Sequence, residues 1–206
     1  MPFVMDEAEA LRLDAEDPLG SLRAEFLLPE GPGGRPVHYF TGNSLGLMPR
    51  RARAVLEADL DAWARLGVDG HFQADAPWST YHELLRGPLA RLVGARDHEV
   101  VAMNTLTVNL HLFMVSFYRP DRERWKILIE DPVFPSDLYA VKTQIRHHGL
   151  DPAEALIQVG PRPGEGTLRE EDVEAALAAE GGKVSLVLLG GVNFLTGQCL
   201  DMARIA

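Results

Sequence analysis

The stretch WKILIEDPVFPSD, Trp125 to Asp137, decides the fold. WKILI is a short apolar run, the pattern of a buried strand. A turn follows, and Pro135 with Ser136 and Asp137 opens a helix, because proline suits the first helical turn. A strand that runs into a helix in this way is half of a β-α-β unit. The pattern repeats downstream. Ser136 to His148 reads as a helix stopped by Gly149, and Ala155 to Val159 as a strand. Leu168 to Glu180 reads as a helix closed by Gly181 and Gly182. Val184 to Leu189, VSLVLL, is apolar throughout, as a strand covered on both faces should be. Upstream, Glu99 to Thr105 reads as a short strand and Thr107 to Phe117 as an apolar, central helix. From residue 99 the alternation is β-α-β-α-β-α-β, which predicts a parallel α/β sheet with right-handed crossovers.

Before residue 99 the chain is helical and loop-rich. Residues 6–14 and 21–27 read as short helices broken at Asp17-Pro18. GPGGRP (31–36) is a turn, and HYFTGNSLGLMP (38–49) a compact loop. Arg50 to Leu66 is amphipathic, with Val55, Leu56, Leu60, Trp63 and Leu66 near helical spacing. Thr80 to Val93 carries Leu84, Leu85, Leu89 and Leu92 on one face. Between them lies an irregular, glycine-flanked segment with Asp69, Gly70 and His71.

Composition narrows the function. The 206 residues are 46% hydrophobic, enough for a substantial core. A formal net charge of −10 argues against nucleic-acid binding. The acidic start lacks the features of a secretory signal, and no apolar run reaches membrane-spanning length. A single cysteine, Cys199, excludes an intrachain disulfide, fits a reducing cytoplasm and is expected to be buried. The seven histidines show no metal-ligand spacing, and His147-His148 read as capping their helix. GPRPGEG lacks the dinucleotide spacing.

In open parallel sheets, ligands sit beyond the carboxyl ends of the strands. Three segments arrive there: NTLT (104–107), VFPSD (133–137) and GGVNFLTG (190–197). Thr107 is either a plain helix N-cap or the edge of an anion site at a helix start. Phe134 is a core ring or a stacking platform. Ser136 or Asp137 caps its helix, or the Asp137 carboxylate pairs with a protonated heterocycle nitrogen. His71 lines a pocket or lies on a surface loop.

Together these strings resemble kynureninase, a pyridoxal-phosphate enzyme of fold type I, the aspartate-aminotransferase fold. The resemblance runs from about Tyr39 to the end. It is carried by YFTGNSLGL (39–47), DGHF (69–72) before PW (77–78), MNTLTVNLHL (103–112), KILIEDPVFPSD (126–137) and GVNFLTGQ (191–198). It implies an incomplete large domain, residues 61–206, with a mostly parallel sheet flanked by helices. Residues 1–60 would be a helical and loop segment packing with a small domain. By position, Leu106 and Thr107 match residues that hold the cofactor phosphate, and Phe134 matches the ring that stacks on the pyridine. Pro135 and Ser136 belong to the same turn, and Asp137 matches an aspartate near the pyridine nitrogen. Ser44 and His71 match positions lining the substrate pocket. Gly190 stands where the family commonly has Ser or Thr. The implied reaction is hydrolysis of L-kynurenine or its 3-hydroxy form to anthranilate or 3-hydroxyanthranilate and L-alanine. A cytoplasmic homodimer on the tryptophan-degrading, NAD-forming route is implied for the full-length form.

That chemistry needs a lysine to hold the cofactor. The family has it in a Tyr-Lys pair after a later strand, with an Asp-x-x-His motif before it, and neither motif is present here. The three lysines, Lys126, Lys142 and Lys183, open a strand, sit mid-helix and precede a strand. The chain resembles about the first half of a kynureninase and is expected to be inactive alone, with an unfinished sheet. Three other readings stay open: a different fold type I enzyme such as a cysteine desulfurase or class V aminotransferase, a half-site subunit needing a complementary chain, and a truncated, non-catalytic fragment.

Overall fold

The computed structural model describes residues 6–206. They fall into two compact units, one up to Val101 and one from Ala102 to Ala206. The first holds α1 (Glu7–Glu16), the two-residue strands β1 (Phe26–Leu27) and β2 (Met48–Pro49), α2 (Arg50–Leu66), the single turn α3 (Gly70–Gln73) and α4 (Tyr81–Val93). β1 and β2 pair antiparallel. Residues 21–27, read as a short helix from sequence, instead belong to a 3-10 turn (Gly20–Glu25) and to β1. The apolar stripe of α2 is exposed at Val55, Leu56, Leu60 and Trp63, and only Ala62 of that helix is buried. Glu99 to Thr105 forms no strand: a 3-10 turn at Asp97–Glu99 is followed by irregular backbone.

The second unit carries the parallel sheet. Its elements are α5 (Leu106–Phe117), β3 (Lys126–Glu130), α6 (Pro135–His147), α7 (Pro152–Ala155), β4 (Leu156–Val159), α8 (Glu170–Glu180), β5 (Val184–Leu188) and α9 (Met202–Ile205). The strand order is β4-β3-β5, parallel throughout, with Ile129 opposite Gln158 on one side and Leu188 on the other. Residue 155, read as the start of a strand, instead ends α7, whose first turn is capped by the Asp151 side chain.

β3 is central, and its alternation builds two cores. Ile127 and Ile129 point to one face and pack with Met114, Tyr118, Val141 and Ile145 of the α5–α6 layer. Leu128 points to the other and packs with Val159, Leu168, Val173 and Leu200 on the α8 side. Ile127, Leu128 and Ile129 are fully buried, which explains why KILI carries no polar residue after Lys126.

The chain leaves β3 for β4 on one side and reaches β5 on the other. With right-handed crossovers this sends α6 and α8 to opposite faces, as the two cores show. A crevice therefore opens between the carboxyl ends of β3 and β5, the switch point where open α/β sheets bind ligands.

α5 belongs at the same end. The Tyr118 hydroxyl, just past its last turn, donates to the Trp125 carbonyl (2.8 Å) at the start of β3. α5 also runs alongside α6 in the same direction, His111 meeting Gln144 (3.2 Å) and Tyr118 meeting His148, so both helices start toward the carboxyl end of β3. Among the described residues no helix is long and apolar enough to cross a membrane.

Candidate functional site

Two helix starts and one loop converge on the carboxyl end of the sheet. α5 begins at Leu106, and its N-cap is Thr105 rather than Thr107, which sits in the first turn. The Thr105 side chain makes no capping bond. The first backbone N–H groups of any helix have no partner within it, so those of Leu106 and Thr107 point outward with the positive end of the dipole. The Asn109 side chain braces this turn by donating to the Met103 carbonyl (2.8 Å).

α6 begins directly after β3. Its N-cap is Phe134, with Pro135 at the first helical position, so neither Ser136 nor Asp137 is the cap. Both lie in the first turn, where the Ser136 hydroxyl donates to Asp137 Oδ1 (3.2 Å) and a carboxylate is favoured by the helix dipole. Phe134 is no core residue: it is 46% exposed. Its ring meets that of Phe194 edge to face, with centroids 5.1 Å apart and planes at 83°. One ring thus braces the other and leaves an aromatic surface facing out.

Phe194 comes from the loop after β5, which a buried polar cluster ties down. Glu130, the last residue of β3, is 6% exposed. Its Oε1 accepts the Gly190 N–H (3.1 Å) and its Oε2 accepts the Asn193 side-chain amide (3.0 Å). The same amide donates to the Pro132 carbonyl (3.0 Å). Asn193 Oδ1 accepts the N–H groups of Leu195 (3.0 Å) and Thr196 (3.1 Å), folding the loop around itself. Glycine at 190 lets this arrangement form undisturbed, since a Cβ there would lie 2.8 Å from Glu130 Oε1 and force that oxygen to shift.

Sequence reasoning singled out Phe134, Asp137 and Gly190 and passed over Glu130, Asn193 and Phe194. One signal was present. A carboxylate ending an otherwise apolar, buried strand must find donors, and the loop after the neighbouring strand supplies them.

The remaining site candidates, Ser44 and His71, belong to the first unit. Ser44 lies in a turn, its N–H donating to the Thr41 carbonyl (2.9 Å). His71 lies on α3, a regular helical turn rather than the irregular segment read from sequence. Its ring packs edge-on against Trp78, with centroids 5.4 Å apart, and its carbonyl accepts from the Ser79 hydroxyl (2.7 Å). Gly70 is needed beneath Trp78, because a Cβ would come within 2.4 Å of the indole. Cys199 is exposed, against the expectation of burial, because the 192–199 bridge lies at the surface.

None of the three lysines reaches the carboxyl end of the strands. Lys126 is at the opposite end of β3, paired with Glu180 (3.0 Å), and Lys183 precedes β5 beside it. Lys142 lies two turns into α6.

No family model matches the chain. Individual relatives do. Over 205 residues it is 57% identical to the kynureninase of Salinispora tropica, covering 98% of this chain and 47% of that protein. Over 206 residues it is 53% identical to the kynureninase of Myxococcus xanthus, covering 99% and 48%. The chain is thus similar in sequence to these kynureninases over nearly all of its own length. It spans about half the length of the curated kynureninases it matches. Solved structures agree on the fold. A cystine C–S lyase with glycine covalently linked to its pyridoxal-phosphate cofactor superposes with a TM-score of 0.58 at 20% identity, over 89% of this chain and 44% of that one. The cysteine desulfurase of Thermococcus onnurineus gives 0.56 at 19% identity, over 100% and 45%. The chain therefore has the α/β architecture of fold type I, as its sequence implied.

Proposed function

We propose that these residues form the cofactor-cradling part of a pyridoxal-phosphate-dependent kynureninase, which hydrolyses L-kynurenine or its 3-hydroxy form to an anthranilate and L-alanine. One observation carries the reading: Phe134, half-exposed at the switch point, stands with its ring braced by Phe194 at the carboxyl end of the sheet. The residues present fit the cofactor. The open first turn of α5, at Leu106 and Thr107, suits a phosphate. Phe134 suits the flat ring, with Pro135 setting its turn. Asp137, beside Ser136, suits the pyridinium nitrogen. Gly190 borders the same crevice with its N–H turned inward to Glu130.

When bound, pyridoxal phosphate supplies an electron sink for carbanion chemistry at the substrate α-carbon. This chain's residues bind and orient it, and Asp137 holds a proton at the ring nitrogen. Ser44 and His71 line the substrate pocket in this reading, residues 1–60 pack with a small domain, residues 61–206 begin the large one, and the working form is a cytoplasmic homodimer. The lysine that holds the cofactor comes from outside these residues, so the 206-residue chain alone turns over no kynurenine.

The test is equilibrium dialysis of pyridoxal phosphate against the chain and against Phe134→Ala. Saturable binding is expected, weakened roughly 2- to 12-fold in the variant if aromatic stacking contributes about 0.5–1.5 kcal/mol. No binding by the unsubstituted chain, or equal binding by both, would sink the proposal. Kynurenine against cysteine, offered to the complete enzyme, separates this reading from a desulfurase.

A further inference from the structure

The polar cluster under the switch point has a role that the cofactor reading does not assign. We propose that Glu130 is a positioning residue, whose carboxyl group locks the loop 190–197 so that Phe194 braces Phe134. Its importance for the cofactor rests on the reading above. The lock itself does not.

The geometry is specific. Glu130 is buried, and both of its oxygens are taken by neutral donors from the far side of the crevice: the Gly190 N–H and the Asn193 amide. Asn193 is buried too, and its amide also reaches Pro132, two residues before Phe134. The two loops that carry the aromatic pair are thus joined through one carboxyl group and one amide. The Phe194 backbone lies next to the anchored residue, and Leu195 and Thr196 are held by the other end of the same amide. Glycine at 190 is the matching half of the lock, because any side chain would displace Oε1. A hydroxyl residue at 190 and a carboxyl group in this pose at 130 exclude each other.

The polarity of the pair permits a rescue experiment. Glu130→Gln preserves size but sets an NH2 group against one of two donors. Asn193→Asp alone sets two carboxyl groups against each other. The double variant Glu130→Gln/Asn193→Asp restores complementarity between the two side chains. Its glutamine oxygen takes the Gly190 N–H, and its glutamine NH2 donates to the carboxylate introduced at position 193. It still loses the bond to Pro132, so the rescue is partial.

The measurement is amide hydrogen exchange by mass spectrometry on the four chains without ligand, with pyridoxal phosphate dialysis alongside. Exchange in the 190–198 peptide is expected to rise about tenfold or more in each single variant and to fall back in the double variant, while peptides from β3 and α8 keep their protection. Pyridoxal phosphate affinity should follow the same order. Unchanged exchange in Glu130→Gln, loss of protection across the whole unit, or no recovery in the double variant would overturn the lock. The exchange pattern without any pyridoxal phosphate binding by the unsubstituted chain would uphold the lock and refute the cofactor reading.

Discussion

Gly190→Ala puts two opposed effects at one position, and the structure decides the sign. Replacing glycine by alanine where the backbone is compatible usually stabilises by about 0.4–1 kcal/mol, because the unfolded chain loses freedom. Gly190 has no left-handed backbone, so that gain is available in principle. The added Cβ, however, would lie 2.8 Å from Glu130 Oε1 and 3.3 Å from the Val192 carbonyl oxygen. Reaching ordinary contact requires Oε1 to withdraw by roughly 0.6 Å, which stretches the 3.1 Å bond to the Gly190 N–H beyond hydrogen-bond range. A part-buried N–H that loses its acceptor costs up to about 1–3 kcal/mol. The loss exceeds the gain, and the expected net is a destabilisation of about 1–2 kcal/mol. Urea unfolding followed by circular dichroism measures it, as a lower midpoint at unchanged slope. In the Glu130→Gln background the penalty should shrink, because the acceptor is already compromised. Stability equal to or above that of the unsubstituted chain would refute the steric argument.

Two further outcomes follow from other parts of the second unit. Tyr118→Phe removes the hydroxyl that ties the end of α5 to the Trp125 carbonyl, and should cost about 1–2 kcal/mol in the same urea assay. Asp172 is held below the usual carboxylate range by its two-point hydrogen bond with Arg162 and by that cation's charge. Its contribution to stability is present above the ordinary aspartate value of about 3.8 and is lost as pH falls through the lowered one. Arg162→Ala should therefore flatten the acid limb of stability against pH, with the two proteins converging at low pH. A constant offset across the whole acid limb would show that the pair does not act through that proton.

What the sequence determined by itself was local and periodic. The apolar run KILI, proline at the head of a helix and glycines at helix ends specify β3, α6 and the alternation that makes a parallel sheet, because those signals lie within a few residues of one another. Position within known strings also pointed to Phe134, Asp137 and Gly190. Only the tertiary structure decided that Glu99 to Thr105 forms no strand, since strand formation depends on a pairing neighbour. Thr107 yields the cap to Thr105 by helix phase, which propensity leaves undetermined by two residues. The Glu130–Asn193–Gly190 cluster joins residues about sixty positions apart, and the Phe134–Phe194 pair is equally remote. Such contacts exist only once the chain has crossed from one side of β3 to the other. Their residues carry no local periodicity, and nothing short of the fold brings a buried carboxyl group to the donors it requires.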